Sequence, residues 1–407
     1  MTDAAAPGRW LGLVGLGEDG LDGLSPLARD LLGKAELVVG GARHLALLGE
    51  TKAETLAWPS PLAHAFPRIW QRRGRPVVVL ASGDPFFHGV GSLITAQIDP
   101  KEIVAIPAPS AYALAAARLG WAGQDVVRLS LHGRALERIR PHLHDRARLF
   151  ALSWDGETPA RLAGLLTRHG FGGSRLVVLE RMGGQAERIR ETTAATFDLE
   201  GIDPLNTVAI EVVAGPGARI LPFTPGLADD LFDHDGQITK REIRAVTLSA
   251  LGPRRGELLW DVGAGSGSVG IEWMLADPSL SAIAVEEKAE RCARIRQNAL
   301  SLGVPDLRVE EGAAPSTLAG LPAPDAVFIG GGAPAVLEAA MTALKPGGRL
   351  VVNAVTLETQ SFLTVCFRRH GGDLGELAVA RAAPVGGFTA MKPAMRVVQW
   401  RWEKSRE

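Results

Sequence analysis

The sequence predicts an α/β protein built as two successive units. Short apolar runs alternate with amphipathic stretches along most of the chain, the layered pattern of strands covered by helices. Twice a strand runs into a glycine loop, in WLGLVGLGEDG (10–20) and in LLWDVGAGSGSVGIEW (258–273). Between them PFTPGLADDLFDHDGQ (222–237), rich in Pro, Gly and Asp and weakly periodic, interrupts the alternation and marks a boundary.

In the first unit WLGLVGL, AELVVGG, PVVVLASG, EIVAIPA, RLFALS, RLVVLE and TVAIEVV read as strands, from their β-branched content and their flanking Gly and Pro. PSAYALAAARLG and TPARLAGLLTRHG read as helices between them. A softer boundary near Pro107–Pro109 splits this unit into two lobes. The predicted division is 1–222, a linker at 223–236, and 237–407. From Ile238 the helix TKREIRAVTLSAL precedes the strand LLWDVG. Strands SAIAVEE, LRVEEG, DAVFIGG and RLVVNAV follow with helices between them, and DLGELAVARAA with MRVVQWRW reads as a closing hairpin. The halves show no internal repeat.

The totals narrow the function classes. The 407 residues are 46% apolar and 22% charged, with one Tyr and a formal charge of -1. No overall basic excess draws a polyanion, so no nucleic-acid partner is expected. Cys292 and Cys366 stand far apart and outside any CxxC pattern, against a disulfide framework or a zinc site and in keeping with a reducing cytosol. His142 and His144 in PHLHD lack further ligands nearby and read as a solvated face, so no metal is expected. MTDAAAPGRW has no charged segment followed by an apolar one, and no apolar run reaches the ~18 to 20 residues that span a bilayer. A cytoplasmic protein without a membrane partner is expected.

The second glycine loop carries the most chemistry. Gly263, Ala264, Gly265, Ser266 and Gly267 follow a buried strand and open a helix, where exposed N–H groups attract a polar or anionic group. Glu286 ends the next strand, where a carboxylate meets ribose hydroxyls in nucleotide sites. Gly265 to Gly270 satisfies GxGxxG, which also suits a nicotinamide cofactor, and a turn that only packs helix on strand explains one of the glycines. Asp261 before the first glycine, EGAAP with Ala313, and LKPGGRLVV (344–352) move the weight to S-adenosylmethionine, because together they resemble the class I methyltransferases. Asp261 either organises the loop or meets the amino-acid end of that cofactor.

The first loop gains meaning from its company. LVGLGEDG, with Gly15 and Gly17, is followed by ASGDPFFHGVGS with Gly83 and Asp84, by PAPSAYALAAARLGW with Ser110 and Ala111, by SLHGR, and by ERMGGQAERIR. Together they resemble the tetrapyrrole methylases over about 9–223, although the family's GPGDP-like first loop is here GLGEDG. Such a domain followed by a class I domain with ITKREIR, DVGAGSG, AVEE, EGAAP, FIGGG and NAVTLET is similar to the decarboxylating precorrin-6B (precorrin-6Y) C-5,15 methyltransferases of cobalamin biosynthesis.

The resemblance implies a two-lobed tetrapyrrole-methylase fold and a Rossmann-like class I methyltransferase fold. It implies carbon-5 methylation by the first unit, and carbon-15 methylation with decarboxylation of an acetate arm by the second. One S-adenosylmethionine per unit is expected, held by Gly15, Gly17, Gly83, Asp84, Ser110 and Ala111 in the first and by Thr239, Asp261, Gly263, Ala264, Gly265, Ser266, Gly267, Glu286 and Ala313 in the second. Thr239 also reads as a helix cap. The tetrapyrrole's carboxylates call for local cations or helix N-termini, with Gly330, Gly331, Gly332, Arg381, Lys392, His132 and His88 as candidates, each balanced against ordinary surface or loop roles. No triad and no GxSxG is present, as expected where alignment carries the transfer. Related domains self-associate, which implies a homo-oligomer. The competing readings are a nicotinamide-dependent oxidoreductase on the second unit and a non-catalytic tetrapyrrole-binding regulator.

Overall fold

The computed structural model describes residues 8–406; residues 1–7, which begin the segment read as carrying no signal sequence, lie outside them. Among the described residues no helix is long and apolar enough to cross a membrane. The chain forms two compact units, one of Met1–Arg134 with His144–Arg219 and one of Ala135–Leu143 with Ile220–Glu407.

The first unit contains two sheets. Strands β1 (Leu11–Leu16), β2 (Leu37–Gly40), β3 (Glu54–Ala57), β4 (Val77–Ser82) and β5 (Ile103–Ile106) form a parallel sheet in the order 3-2-4-1-5. Its central strands are apolar on both faces, as a sheet covered by helices requires. Strands β6 (Val126–Ser130), β7 (Arg148–Leu152), β8 (Arg175–Glu180), β9 (Arg188–Thr193) and β10 (Asn206–Glu211) form the second sheet, ordered 6-7-10-8-9, with only β6 and β7 parallel. The helix Ala111–Leu119 follows the Pro107–Pro109 segment between the sheets, where the softer boundary was expected. Ser110 caps it by accepting from the Ala113 N–H at 3.2 Å, and Gly120 ends it in the left-handed region.

The second unit is a seven-stranded sheet. Strands β11 (Leu258–Val262), β12 (Ser281–Glu286), β13 (Arg308–Glu311), β14 (Ala326–Ile329) and β15 (Arg349–Ala354) are parallel. With β16 (Asp373–Leu377) and β19 (Val397–Glu403) the order is 13-12-11-14-15-19-16, with β19 antiparallel to both of its neighbours. Two apolar clusters cover its faces, one around Trp273 and Phe328 and one around Trp260 and Trp400. The closing hairpin differs from expectation. Between β16 and β19 the chain makes a separate hairpin, β17 (Ala380–Val385) with β18 (Phe388–Pro393), which pairs only with itself.

The stretch expected as a linker is instead part of this unit. Leu227 and Phe232 are buried in its core, and Glu272 accepts the Gly226 and Leu227 N–H groups at 2.6 and 2.9 Å. Glu272 also pairs with Arg244 at 2.5 Å, and Arg244 reaches Asp229 at 3.1 Å and the carbonyls of Leu227 and Thr239. A fully buried guanidinium with this many acceptors pins the Pro- and Gly-rich segment to the helix Arg241–Leu251.

Candidate active site

In the second unit the strand order reverses between β11 and β14, and an open α/β sheet binds ligands outside the strand ends at such a point. The loops leaving these strands lie against each other. The Gly330 N–H donates to Val262 O at 3.0 Å, and a side chain on Gly263 would begin 3.3 Å from Gly331 N. They border a cavity of about 600 Å³, the size of a small-molecule site.

Gly267 caps the helix Ser268–Ala276 with φ +76°, and a Cβ there would sit 2.7 Å from Ile295 Cγ2, so glycine is required twice over. Glu286 holds the loop from the neighbouring strand, accepting from Gly265 N–H at 2.9 Å and Lys288 N–H at 3.2 Å. Asp261 lies behind the loop, 1% exposed, with one carboxylate oxygen accepting the Gly270 N–H at 2.9 Å and the other buried without a partner. Burial pushes its carboxyl up to about 7, the Gly270 N–H opposes that rise, and nearby Glu286 adds to it.

Thr239, Gly263, Ala264, Gly265, Glu286, Ala313, Gly330, Gly331, Gly332 and Arg381 all line the cavity. Asp261, Ser266 and Gly267 are not on its wall; they support the loop from behind, with Asn298 bonding Ser266 O at 3.0 Å. Three expectations need correction. Thr239 does not cap the helix, because the chain enters at Lys240 without a side-chain cap and Thr239 offers only its carbonyl, to Arg244. Lys392 is exposed and off the wall, whereas Arg381, directly opposite it on the hairpin, is drawn there by Glu242. His142 and His144 are half-buried rather than solvated, since Leu143 between them is buried. Among the described residues no cluster of three metal-binding side chains exists.

In the first unit the ends of β1, β4 and β5 meet. A Cβ on Gly15 would fall 1.9 Å from Gly83 O and 2.4 Å from Ala108 N. Gly83 N–H donates to Leu16 O at 3.2 Å and Ala108 N–H to Gly83 O at 3.1 Å. Only bare backbone fits, so Gly15, Gly83 and the Ser110-capped helix start lie together. Asp84 uses one oxygen on its own turn, accepting Phe86 N–H at 2.9 Å. His88 (φ 60°) sits 5.2 Å from the Phe87 ring, its pKa lowered by burial and by Arg134. His132 is exposed, with its ring 6.5 Å from that of Trp154.

Sequence reasoning missed the charges around this site. Glu18, in the departing GLGEDG loop, is almost buried between Arg43 and Arg181, the latter at 2.9 Å and also 3.2 Å from Asp203. It ties the β1 loop to the end of β8, and so one lobe to the other. His44 lies beside it, 2.9 Å from Ser82 Oγ and 3.0 Å from Arg43 Nη2. Burial and then the Arg43 charge lower its pKa to about 4, against a smaller opposing effect of Glu18. The departure from GPGDP was the one available signal.

Comparison with known proteins agrees with this geometry. Residues 11–198 match the tetrapyrrole (corrin/porphyrin) methylases, and residues 230–404 match a precorrin methyltransferase domain. A decarboxylating precorrin-6Y C(5,15)-methyltransferase from a Sinorhizobium species is 55% identical over 406 residues, 99% of this chain and 98% of its own. The chain belongs to the decarboxylating precorrin-6Y C(5,15)-methyltransferases. It is an S-adenosylmethionine-dependent C-methyltransferase with a tetrapyrrole-methylase fold and a Rossmann-like methyltransferase fold. Two shorter relatives of the enzyme each match under half of it. The "Probable cobalt-precorrin-6B C(15)-methyltransferase (decarboxylating)" of Pyrobaculum calidifontis is 38% identical over 177 residues, 41% of this chain and 90% of its own. The cobalt-precorrin-7 C(5)-methyltransferase of Salmonella typhimurium is 31% identical over 205 residues, 49% of this chain and 98% of its own.

Proposed function

We propose that the enzyme converts precorrin-6B to precorrin-8 in cobalamin biosynthesis by dividing the work between its units. The second methylates carbon 15 and removes carbon dioxide from an acetate arm, the first methylates carbon 5, and each holds its own S-adenosylmethionine. The observation that carries this reading is the same device in both units. In each, strand ends meet through glycine backbone just before a helix start, Gly15 on Gly83 and Ala108 in the first unit and Gly263 beside Gly331 in the second. The two shorter relatives, each named for one of the two methylations, support separable activities, and their matched lengths suit the second and the first unit respectively.

The residues present fit the cofactor. Glu286, which borders the cavity, offers its carboxylate as an acceptor for the ribose hydroxyls, and Gly263–Gly265, their own N–H groups already bonded, leave room for the ligand beside bare backbone. Asp261, off the cavity wall, would feel the positive charge of an α-ammonium through the loop rather than by contact, and that field would favour its carboxylate. Bound there, S-adenosylmethionine supplies a methyl group already activated on sulfur. The chain's own task is to orient and to exclude water: Phe328, Val336, Val379, Met395 and Val397 form an apolar wall. Gly331 and Gly332, at the start of the helix Ala333–Ala343, offer backbone donors to a substrate carboxylate, and Arg381 adds a cation already balanced by Glu242 at 2.5 Å. Alignment of donor and carbon supplies the rate, which needs no protein nucleophile.

Calorimetric titration of the full chain with S-adenosylmethionine tests the division. Two sites per chain are expected, with one left in Gly15→Val and one left in Gly267→Val. Mass spectrometry of turnover should show two methyl groups gained and one carbon dioxide lost. A single site in the unaltered enzyme, or binding of NADH in place of S-adenosylmethionine, overturns the proposal.

A further inference from the structure

The cavity of the second unit contains one polar side chain whose orientation is fixed and whose charge is zero. Asn353, near the end of β15, lines the wall among Val355, Val379 and Val397. Its amide is set by a closed chain of hydrogen bonds. Thr247 donates its only hydroxyl proton to Ile243 O at 2.8 Å, so its oxygen can only accept. It accepts from Asn353 Nδ2 at 2.9 Å and from Gln399 Nε2 at 3.2 Å. Gln399 Nε2 gives its other proton to Asn353 Oδ1 at 2.9 Å. This leaves Asn353 one N–H without a partner among the described residues, on a side chain that cannot flip without breaking two bonds.

The cations around the same cavity are already engaged. Arg381 pairs with Glu242 at 2.5 Å, Arg291 with Asp235 at 2.8 Å, and Lys240 lies 4.0 Å from Asp229. That matters for the loss of carbon dioxide. The bond between the arm's methylene and its carboxylate breaks, and its electron pair passes into the conjugated macrocycle. Carbon dioxide leaves, and the methylene takes a proton from water to become a methyl group, with hydroxide as the other product. Negative charge departs from the carboxyl group in the transition state. A cation gripping that group stabilises the ground state more than the transition state and slows the step. A neutral donor in an apolar wall fixes the direction of the breaking bond without holding the charge back.

We propose that Asn353 binds the carboxylate of the acetate arm that is expelled, with Thr247 and Gln399 as its positioning residues. The inference rests on the second unit being the site of carbon-15 methylation and decarboxylation.

The test follows turnover of the full chain by mass spectrometry, scoring methyl gain and carbon dioxide loss separately. Asn353→Asp has the same shape, lacks the N–H and repels a carboxylate. It is expected to lose decarboxylation by roughly a hundredfold, the scale of removing one oriented donor, while gaining both methyl groups and accumulating a dimethylated product that keeps every carboxylate. Gln399→Leu, which releases the amide but leaves the donor, is expected to show a smaller loss in the same step, and it serves should Asn353→Asp fail to fold. Unchanged decarboxylation, or equal falls in decarboxylation and carbon-15 methylation, overturns the role of Asn353. Gly267→Val separates the two levels. If it leaves carbon-15 methylation and decarboxylation intact, the assignment of this unit falls and the inference with it. If it abolishes both while Asn353→Asp changes neither, only the inference falls.

Discussion

Substituting Asp261 by Asn should remove the loss of stability that this buried carboxyl imposes on the second unit as pH rises. The buried carboxyl titrates near 7 in the folded protein and near its ordinary 3.8 in the unfolded chain. Between those values the folded state binds the extra proton, so stability falls as pH rises through the window and is level above it. Each pH unit is worth about 1.4 kcal/mol, which sets the total loss from pH 4 to pH 7 at about 4 kcal/mol as an upper bound. Asn keeps the Gly270 N–H bond with its oxygen but turns an NH2 toward the position where Asp261 has an unpartnered oxygen. That costs roughly 1–3 kcal/mol at every pH. The Asp261→Asn protein should therefore be the weaker at pH 4 and the stronger by about 1–3 kcal/mol at pH 8. Urea unfolding of the full chain, followed by hydrogen exchange in the peptide 258–274, reads this unit separately. In the same reading a bound α-ammonium favours the carboxylate. Binding of S-adenosylmethionine near pH 6.5 should then release protons, seen as a buffer-dependent heat that Asp261→Asn abolishes. Parallel stability–pH curves for the two proteins would refute the reasoning.

Arg244→Met should destabilise the second unit by about 3–5 kcal/mol in denaturant, because it strands Glu272 as a buried charge; exchange protection in 226–232 should fall with it. Glu18→Gln should weaken the first unit by roughly 1–3 kcal/mol, since two arginines lose their shared carboxylate, with β1 and β8 losing protection while β11 does not. His44, held neutral to about pH 4, binds fewer protons folded than unfolded between 6.5 and 4, so the first unit should lose stability as pH falls through that window. His44→Gln should flatten this acid slope in a melt of the first unit's peptides.

Much of the fold was legible because its signals are local. A buried parallel strand is a short β-branched run, and a ligand-binding strand end is a glycine cluster followed by a helix, so β11, β12, β14 and the loops at Gly263 and Gly330 were readable from neighbours in sequence. What escaped reading is held by partners far apart. Asn353 meets Thr247 across 106 residues, and Arg244 meets Glu272 across 28. The supposed linker looked unstructured because Pro and Gly break periodicity, yet its order comes from a carboxylate on another helix. Lys392 looked like a site cation for the converse reason. Adjacency to a turn does not tell it from Arg381 opposite, which reaches the wall through a partner 139 residues away, Glu242.

The two glycine cradles differ in how charge is arranged, which, on the proposed reading of one cofactor per unit, bears on how each would meet a cationic donor. Glu18, the buried acid of the first cradle, is neutralised by Arg43 and Arg181 and has no charge left to offer. In the second, Asp261 has no cation within ion-pair distance among the described residues, and the one near Glu286 is Arg291 at 3.9 Å. On the proposed reading of one cofactor per unit, the first site would then hold its ligand without help from Glu18, whereas the unpaired Asp261 would favour a positive end near the second. Proton release on binding should then appear in the enzyme whose first cradle is blocked by Gly15→Val, and vanish in the one whose second is blocked by Gly267→Val.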